Sequence, residues 1–196
     1  MFGGLALLLR PDPVQVIAGD IRVEILSDSL VRIEKKGPEG FEDRATFNIV
    51  SRDFRSPNVA SRPAGDRLTI HTSRFDIKLP REAHALSEVM ILPANGKPYR
   101  LSDSPVKSQF LPAPGNVPVT WAMSDSPRLI PPKWGATPPP TDEAGSGWDR
   151  GNNAPDTYVF VPADYQELRS DYLQLTGHTE KPPLYAFGFI DSRYHP

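Results

Sequence analysis

Two alternating runs near the start of the chain decide the fold: residues 21–26 (IRVEIL) and residues 30–35 (LVRIEK). Apolar and polar residues alternate in both runs, which is the period of a half-buried β-strand. The turn-forming cluster Ser27-Asp28-Ser29 separates them. The two runs therefore predict an antiparallel hairpin with a short loop.

Further short strands follow along the chain. The same alternation marks residues 68–72 and 74–79, the second of which is ended by Pro80. Shorter strands are predicted at residues 89–92 and 117–123, and residues 157–161 form an apolar strand. No helical period competes over residues 14–123. This spacing of short strands predicts a mainly β protein, a sandwich or a barrel.

A proline-rich stretch interrupts the strands. The chain has 23 prolines, and those in residues 124–156 stand among glycine and asparagine pairs that favour turns over regular structure. Loops of this length are uncommon inside compact domains and are often functional. Trp121, Trp134 and Trp148 lie within this loop or beside it.

Regular structure returns as a helix and then a strand. Asp164 with Glu167 three residues later predicts a capped helix start, and Gly177 stands where a helix commonly ends. After the break at residues 181–183, residues 185–190 (YAFGFI) are typical of a strand buried on both faces. Such a strand needs neighbours on both sides, so we expect a further sheet beyond residue 196.

Composition excludes several classes of protein. The net charge is -2 with acids and bases interspersed, and the sequence shows no basic stripe, so we expect no nucleic-acid partner. The absence of cysteine excludes disulfides and thiolate metal sites. The apolar start at residues 1–9 is too short to span a bilayer and lacks the flanks of a signal peptide. We expect no membrane span, and the localisation stays open between cytoplasmic and exported.

Several of these segments together resemble the N-terminal region of glycoside hydrolase family 31. The resemblance covers roughly residues 14–196. It is strongest where residues 164–165 (DY), 172–177 (YLQLTG), 182–188 (PPLYAFG) and 192–194 (SRY) are similar to the junction into that family's catalytic barrel. Residues 20–34 and 41–44 (FEDR) resemble the family's opening hairpin and the segment after it.

The resemblance implies a fold and a domain division. It implies a galactose-mutarotase-like β-sandwich followed by a short helix and the first strand of a truncated (β/α)8 barrel. We expect the sandwich to occupy residues 1–163, with the proline-rich loop at about 124–156. Residues 164–196 would then hold the linker helix and the start of the barrel.

The resemblance also implies a function that this chain would not perform alone. The parent protein would be a retaining α-glycosidase that hydrolyses O-glycosyl bonds of α-glycosides, with no cofactor. The family's nucleophile is an Asp in a Trp-x-Asp-hydrophobic-Asn-Glu run, and no such run occurs here. Retaining hydrolysis needs two carboxyl groups, so we expect no catalytic residue in this chain. Its partners would be the α-glycoside and the C-terminal catalytic barrel of the same polypeptide.

Three residues are predicted to contact substrate. By resemblance, Tyr194 and Arg193 follow the first barrel strand, at the end where active-site residues of this fold lie. Asp125 stands at the start of the proline-rich loop, from which the family donates an acidic residue toward the sugar. Each has a plainer alternative: an aromatic that closes the core for Tyr194, a buried ion pair for Arg193, and a turn-forming role for Asp125.

Two other functions stay open at this point. One is a stand-alone carbohydrate-binding β-sandwich without catalysis, which the three tryptophans favour. The other is a sugar epimerase with the same sandwich, for which His71 is the one plausible starting residue, without an evident partner in the sequence. The four histidines are far apart, with no spacing typical of a metal site, so we expect no metal.

Overall fold

The computed structural model describes residues 14–37, 40–43, 46, 48–54, 57, 59–103, 111–125 and 156–178. Ten strands lie in these ranges. They are β1 (Val14–Ala18), β2 (Ile21–Ile25), β3 (Leu30–Lys35), β4 (Ala60–Ala64), β5 (Arg67–His71), β6 (Phe75–Pro80), β7 (Met90–Pro93), β8 (Tyr99–Arg100), β9 (Trp121–Asp125) and β10 (Asp156–Phe160). One α-helix, α1 (Tyr165–Thr176), follows β10, and two single 3₁₀ turns lie at Leu86–Glu88 and Leu101–Asp103.

The strands form two antiparallel sheets of five strands each. Sheet one has the order β1-β2-β3-β10-β9, and sheet two has the sequential order β4-β5-β6-β7-β8. The chain is therefore mainly β, in agreement with the predicted sandwich. The predicted barrel strand at residues 185–190 lies outside the described residues.

Sheet one includes a strand from late in the sequence, β10. β10 inserts between β3 and β9, so that Val159 pairs with Val31 although 128 positions separate them in the chain. The hairpin that the sequence predicts is present, since Val23 pairs with Ile33 across β2 and β3. Non-local pairing of this kind joins the opening hairpin and the last described strand in one sheet.

The main core lies between the two sheets. Alternate residues of sheet one, including Val23, Ile33 and Val159, pack in one buried cluster with Ile77 and Ile91 of sheet two. All five are fully buried. The period-two pattern of the sequence thus identifies the face of each strand that points inward.

Helix α1 covers part of the opposite, outer face of sheet one. Leu168 and Leu175 pack there in a second buried cluster with Trp121 and Phe160. The Asp164 carboxylate accepts a hydrogen bond from the Glu167 amide at 2.9 Å, as the predicted cap requires. At the other end the helix finishes at Thr176, followed by Gly177 with a φ of 83°.

Polar contacts fix the middle of the helix to the β2–β3 turn and its C-terminal end to residues 50–51. The Asp171 carboxylate accepts hydrogen bonds from the Ser27 and Ser29 hydroxyls in the β2–β3 turn, at 2.9 and 2.6 Å. Burial raises the pKa of Asp171, and these two hydrogen bonds oppose the shift. Near the C-terminal end, the amides of Val50 and Ser51 donate to the Leu175 carbonyl.

Some element predictions were wrong in detail. β1, β4 and β8 were not predicted: β4 contains Pro63, and β8 has only two residues. Both β4 and β8 are edge strands, where proline and short length are tolerated. β6 includes Pro80 rather than ending before it. Both ends of the predicted loop at 124–156 lie in strands, since β9 extends to Asp125 and β10 begins at Asp156, and residues 126–155 lie outside the described residues.

Candidate functional site on the outer face of sheet one

Charged side chains lie on the outer face of sheet one, on the side away from sheet two. Strand alternation places Arg22 and Glu24 of β2 beside Arg32 and Glu34 of β3 on this face. Polar positions on a half-buried strand normally point to solvent, yet all four residues are at most 7% exposed. Residues 41–43 contact these side chains on the outer face, which accounts for part of their burial.

Arg32 lies at the centre of this cluster. Its guanidinium is 2.6 Å from Asp156, 3.1 Å from Glu24 and 3.3 Å from Glu34. It also donates a hydrogen bond to the backbone oxygen of Glu42. Burial disfavours the charge of Arg32, but the surrounding acidic groups, with Asp156 foremost, prevail and raise its pKa above the ordinary value. Asp43 lies 3.7 Å away as well, so Arg32 is a permanent buried cation held by four carboxylates.

Arg22 attaches the segment at residues 41–43 to the sheet. Its guanidinium pairs with Glu34 at 2.5 Å and with Asp43 at 2.6 Å, and it donates to the Glu42 carbonyl at 3.1 Å. The Glu42 amide donates to the other carboxylate oxygen of Glu34 at 2.6 Å. The Arg22 guanidinium carbon lies 4.9 Å from the centroid of the Phe41 ring, in a cation–π contact. Much of this attachment uses the backbone of the segment, so the charges of the sheet fix its path.

Arg52 and Asp156 extend the cluster toward β10. The Arg52 guanidinium donates to the Tyr158 hydroxyl at 2.8 Å and lies 3.9 Å from Asp156. Burial raises the pKa of Asp156 to about 6; Glu34 adds to the shift, and Arg32 opposes it. Asp156 therefore changes its protonation state nearer to neutral pH than an ordinary carboxyl group does.

Asp125, a predicted substrate contact, lies at the end of β9 beside this cluster. It is 1% exposed, and its carboxylate accepts hydrogen bonds from the Thr46 hydroxyl at 2.6 Å and the Asn48 side-chain amide at 3.1 Å. Burial raises its pKa, and these hydrogen bonds oppose the shift. In this arrangement both carboxylate oxygens have protein partners, and contact with a sugar stays a prediction.

Asp125 and Asp156 are direct partners across the β9–β10 pair. Opposite residues in an antiparallel pair have Cβ atoms about 4.5–5.5 Å apart, which resembles the carboxyl spacing of a retaining glycosidase. Both side chains are nearly fully buried, however, and both are engaged by neighbouring groups. In this arrangement the pair holds Thr46, Asn48 and Arg32 at the strand ends, with the carboxylates turned to protein partners.

Two clefts open on the described part of the surface. One of about 250 Å³ lies at the end of sheet two near α1, where its lining includes Arg74, Asn95, Val119 and Pro162. The other, of about 530 Å³, lies along the exposed side of α1 between Gln166 and His178. Neither lining includes a carboxylate, so the described residues do not present an acid/base pair to either cleft.

Two of the predicted substrate contacts, Tyr194 and Arg193, lie outside the described residues, as do Trp134 and Trp148. Trp121 is described and is 1% exposed, with its ring centroid 4.9 Å from that of Phe160. Trp121 is a core residue of sheet one and is not free to stack on a glycan, so it does not support the expectation that the three tryptophans favour glycan binding.

Two of the histidines that the structure describes, His71 and His84, form surface pairs with Asp residues. His71 pairs with Asp76 across β5 and β6, so the expectation that it lacks a partner was wrong. The pair lies on the open face of sheet two, and neither residue lines a cleft. His84 pairs with Asp20 at 2.8 Å, and this hydrogen bond raises the pKa of His84. Within the described ranges, no three His, Asp or Glu side chains are grouped as metal ligands, and no helix is long and apolar enough to cross a membrane.

Sequence reasoning missed the buried charge cluster. The available signal was the arrangement of charges on the hairpin, in which Arg22 opposes Glu34 and Glu24 opposes Arg32 on the same face. Opposite charges at facing positions of one hairpin indicate ion pairs, but ion pairs form equally well in solvent. Their burial depends on contacts from residues 41–43, which the hairpin sequence does not encode.

Comparisons with known proteins add a distant structural likeness. No protein-family model matches the chain, and no curated protein sequence matches it. Among solved structures, it is similar to a GH31 dextranase of Flavobacterium johnsoniae in complex with glucose, with 15% identity and a TM-score of 0.45. A mutant of that enzyme in complex with isomaltotriose is similar at 14% identity and the same TM-score. Each alignment covers 92% of this chain and 30% of the enzyme, so the chain spans about a third of their length.

Proposed function

We propose that this chain is the N-terminal β-sandwich portion of a retaining α-glycosidase of family 31, and that the catalytic carboxylates belong to a barrel that follows it. The parent enzyme hydrolyses O-glycosyl bonds of α-glycosides. The chain itself supplies no nucleophile and no general acid. Its contribution is to dock on the barrel and to shape the entrance to the active site.

One observation carries this proposal: the sequence at residues 157–177 resembles the family's junction, and its elements occur in the order that the junction requires. Strand β10 is followed at once by the Asp164-capped helix α1, which ends at Thr176-Gly177. The helix packs on the outer face of sheet one. This order supports residues 179–196 as the linker and the first barrel strand.

The finer assignments are part of the same proposal. The sandwich is of the galactose-mutarotase type, and the barrel is of the (β/α)8 type. Tyr194 and Arg193 line the subsite for the sugar to be cleaved. Asp125 stands at the root of the loop nearest to that subsite, and reorientation of its carboxylate would bring it to the substrate.

The test begins with the coding DNA downstream of codon 196. We expect an open frame that contains a Trp-x-Asp-hydrophobic-Asn-Glu run. The protein made from that frame should release p-nitrophenol from p-nitrophenyl α-glucoside or α-xyloside with retention of configuration. Replacement of the Asp in the run by Ala should abolish turnover, and the 196-residue chain alone should have none.

Two results would contradict the proposal. One is a stop codon directly after Pro196 together with a short chain that folds by itself. The other is an extended frame without the run, or with the run and no α-glycosidase activity. In the first case, calorimetric titration of the short chain with neutral oligosaccharides would decide whether it is a carbohydrate-binding sandwich.

A further inference from the structure

The exposed face of sheet two carries a row of cations that comes from separate strands. The strand register places Arg62, Thr69, Lys78, Met90 and Arg100 side by side across β4, β5, β6, β7 and β8. Opposite residues of neighbouring strands share a face, and this face points away from the core, which Ile70, Ile77 and Ile91 enter from the other side. We call Arg62, Lys78 and Arg100 the cationic row.

The row is accessible and little neutralised. Arg62 and Arg100 are exposed and Lys78 is half-buried, as expected for a long side chain that lies along the sheet. Within the residues that the structure describes, none of the three forms an ion pair with a carboxylate. Asp76 is the one acidic residue on this face of the five strands, and it pairs with His71.

The spacing of the row is regular. Neighbouring strands lie about 4.7–4.9 Å apart, so successive cations on every second strand are about 10 Å apart and the row extends for about 20 Å. The uncharged Thr69 and Met90 stand between them, which separates like charges. Arg67, also exposed, lies diagonally beside Arg62 and Lys78 and widens the row at one end.

From this geometry we propose that the cationic row binds an extended acidic polysaccharide, with its carboxylate or sulfate groups on Arg62, Lys78 and Arg100. A linear set of separated charges on a flat sheet matches a chain with repeated anionic groups better than a single small anion, which needs convergent donors. The choice of a polysaccharide among polyanions rests on the proposed function, since the parent enzyme acts on carbohydrate.

Other polyanions fit this face less well. A stable protein interface needs buried aromatic or apolar anchors, and the outward residues of sheet two include no Trp, Tyr or Phe. Single-stranded nucleic acid would use aromatic stacking platforms, which are also missing from this face. Membrane attachment uses apolar side chains together with basic ones, and the outward Met90 and Leu92 are half-buried.

The experiment measures retention of the full chain on polygalacturonate by affinity electrophoresis and biolayer interferometry at low salt. The test variant is Arg62→Gln, Lys78→Gln, Arg100→Gln. A matched control, Lys36→Gln, Lys97→Gln, Arg169→Gln, has the same net charge and replaces exposed cations outside the row. Melting curves establish that both variants fold. Fully methyl-esterified polygalacturonate serves as the uncharged ligand.

We expect the unmodified chain and the control variant to bind alike and the test variant to bind about tenfold more weakly, since three exposed ion pairs are lost. Binding should vanish with the esterified polymer and at high salt. No retention of the unmodified chain, or an equal loss in both variants, would overturn the proposal. Equal or tighter binding to duplex DNA or to anionic vesicles would replace the polysaccharide with that partner. This assay requires no turnover, so its result is independent of the hydrolysis test.

Discussion

Replacement of Arg32 by Met tests whether the charge cluster on sheet one is buried and paired as described. The substitution keeps most of the side-chain volume and removes the guanidinium, which leaves Asp156, Glu24 and Glu34 without their shared cation. Removal of one partner from a buried ion pair costs about 3–5 kcal/mol, because the remaining charge is desolvated and uncompensated. Arg32 is 1% exposed, so the cost is that of a buried pair, although Glu34 keeps Arg22 and Asp156 keeps Arg52 as partners.

The free energy of unfolding is measured by urea titration with circular dichroism and tryptophan fluorescence. For a domain of this size, a loss of 3–5 kcal/mol lowers the melting temperature by roughly 6–20 °C. Arg32→Lys retains the charge without the planar fork, and we expect an intermediate loss. Arg67→Met, at an exposed position on β5, is the matched control and should change stability by less than about 0.5 kcal/mol.

A loss below about 1 kcal/mol for Arg32→Met would refute the reasoning, because it would place Arg32 in solvent, where ion pairs contribute little. If Arg32→Met does not fold, the free energies of unfolding of Arg32→Lys and Arg67→Met still show whether Arg32 is buried. Equal stability of those two variants would contradict the burial of the cluster.

Three further predictions concern titration, backbone conformation and helix capping. The pKa of Asp156 is about 6 in the fold against an ordinary 3.8, so its stabilising contribution is complete below pH 3.8 and is lost as pH rises through 6. We compare the free energy of unfolding of the unmodified protein and of Asp156→Asn by urea titration between pH 4 and 6. Its slope against pH should be more positive in the variant, by up to about 1.4 kcal/mol per pH unit, and equal slopes would contradict the raised pKa. Gly19→Ala should cost about 2–4 kcal/mol, since the new Cβ would lie 2.6 Å from a backbone oxygen at a φ of 58°, whereas Gly65→Ala has open space and should cost about 1 kcal/mol in the same assay. Asp164→Ala should destabilise the protein by about 1 kcal/mol and Asp164→Asn by far less, because asparagine also caps helices; a loss equal to that of Ala would show that the cap is not the cause.

The elements of the fold were largely predictable from the sequence. Alternation located β2, β3, β5 and β6, because a strand with one face in the core must repeat every two residues. Local chemistry located helix α1, since Asp164 satisfies free amides at its start. The edge strands β4 and β8 escaped prediction, because a proline-containing strand and a two-residue strand have almost no periodic signal.

Tertiary structure alone decided which residues share a surface. The pairing of β3 with β10 brings Arg32 to Asp156, and no local pattern encodes a contact across 124 positions. The placement of Asp125 shows the same dependence, because its burial rests on Thr46 and Asn48 from a distant segment.

The cationic row shows most clearly what the sequence determines and what only the tertiary structure determines. The sequence has no basic stripe, since Arg62, Lys78 and Arg100 are spread over 38 positions among acidic residues. Sheet register sets them side by side, because hydrogen bonding between backbones fixes which residues are opposite regardless of their distance along the chain. The sequence by itself determined which residues face out of each strand, through the period of two, and only the assembled sheet determined that the outward residues of alternate strands form one charged surface.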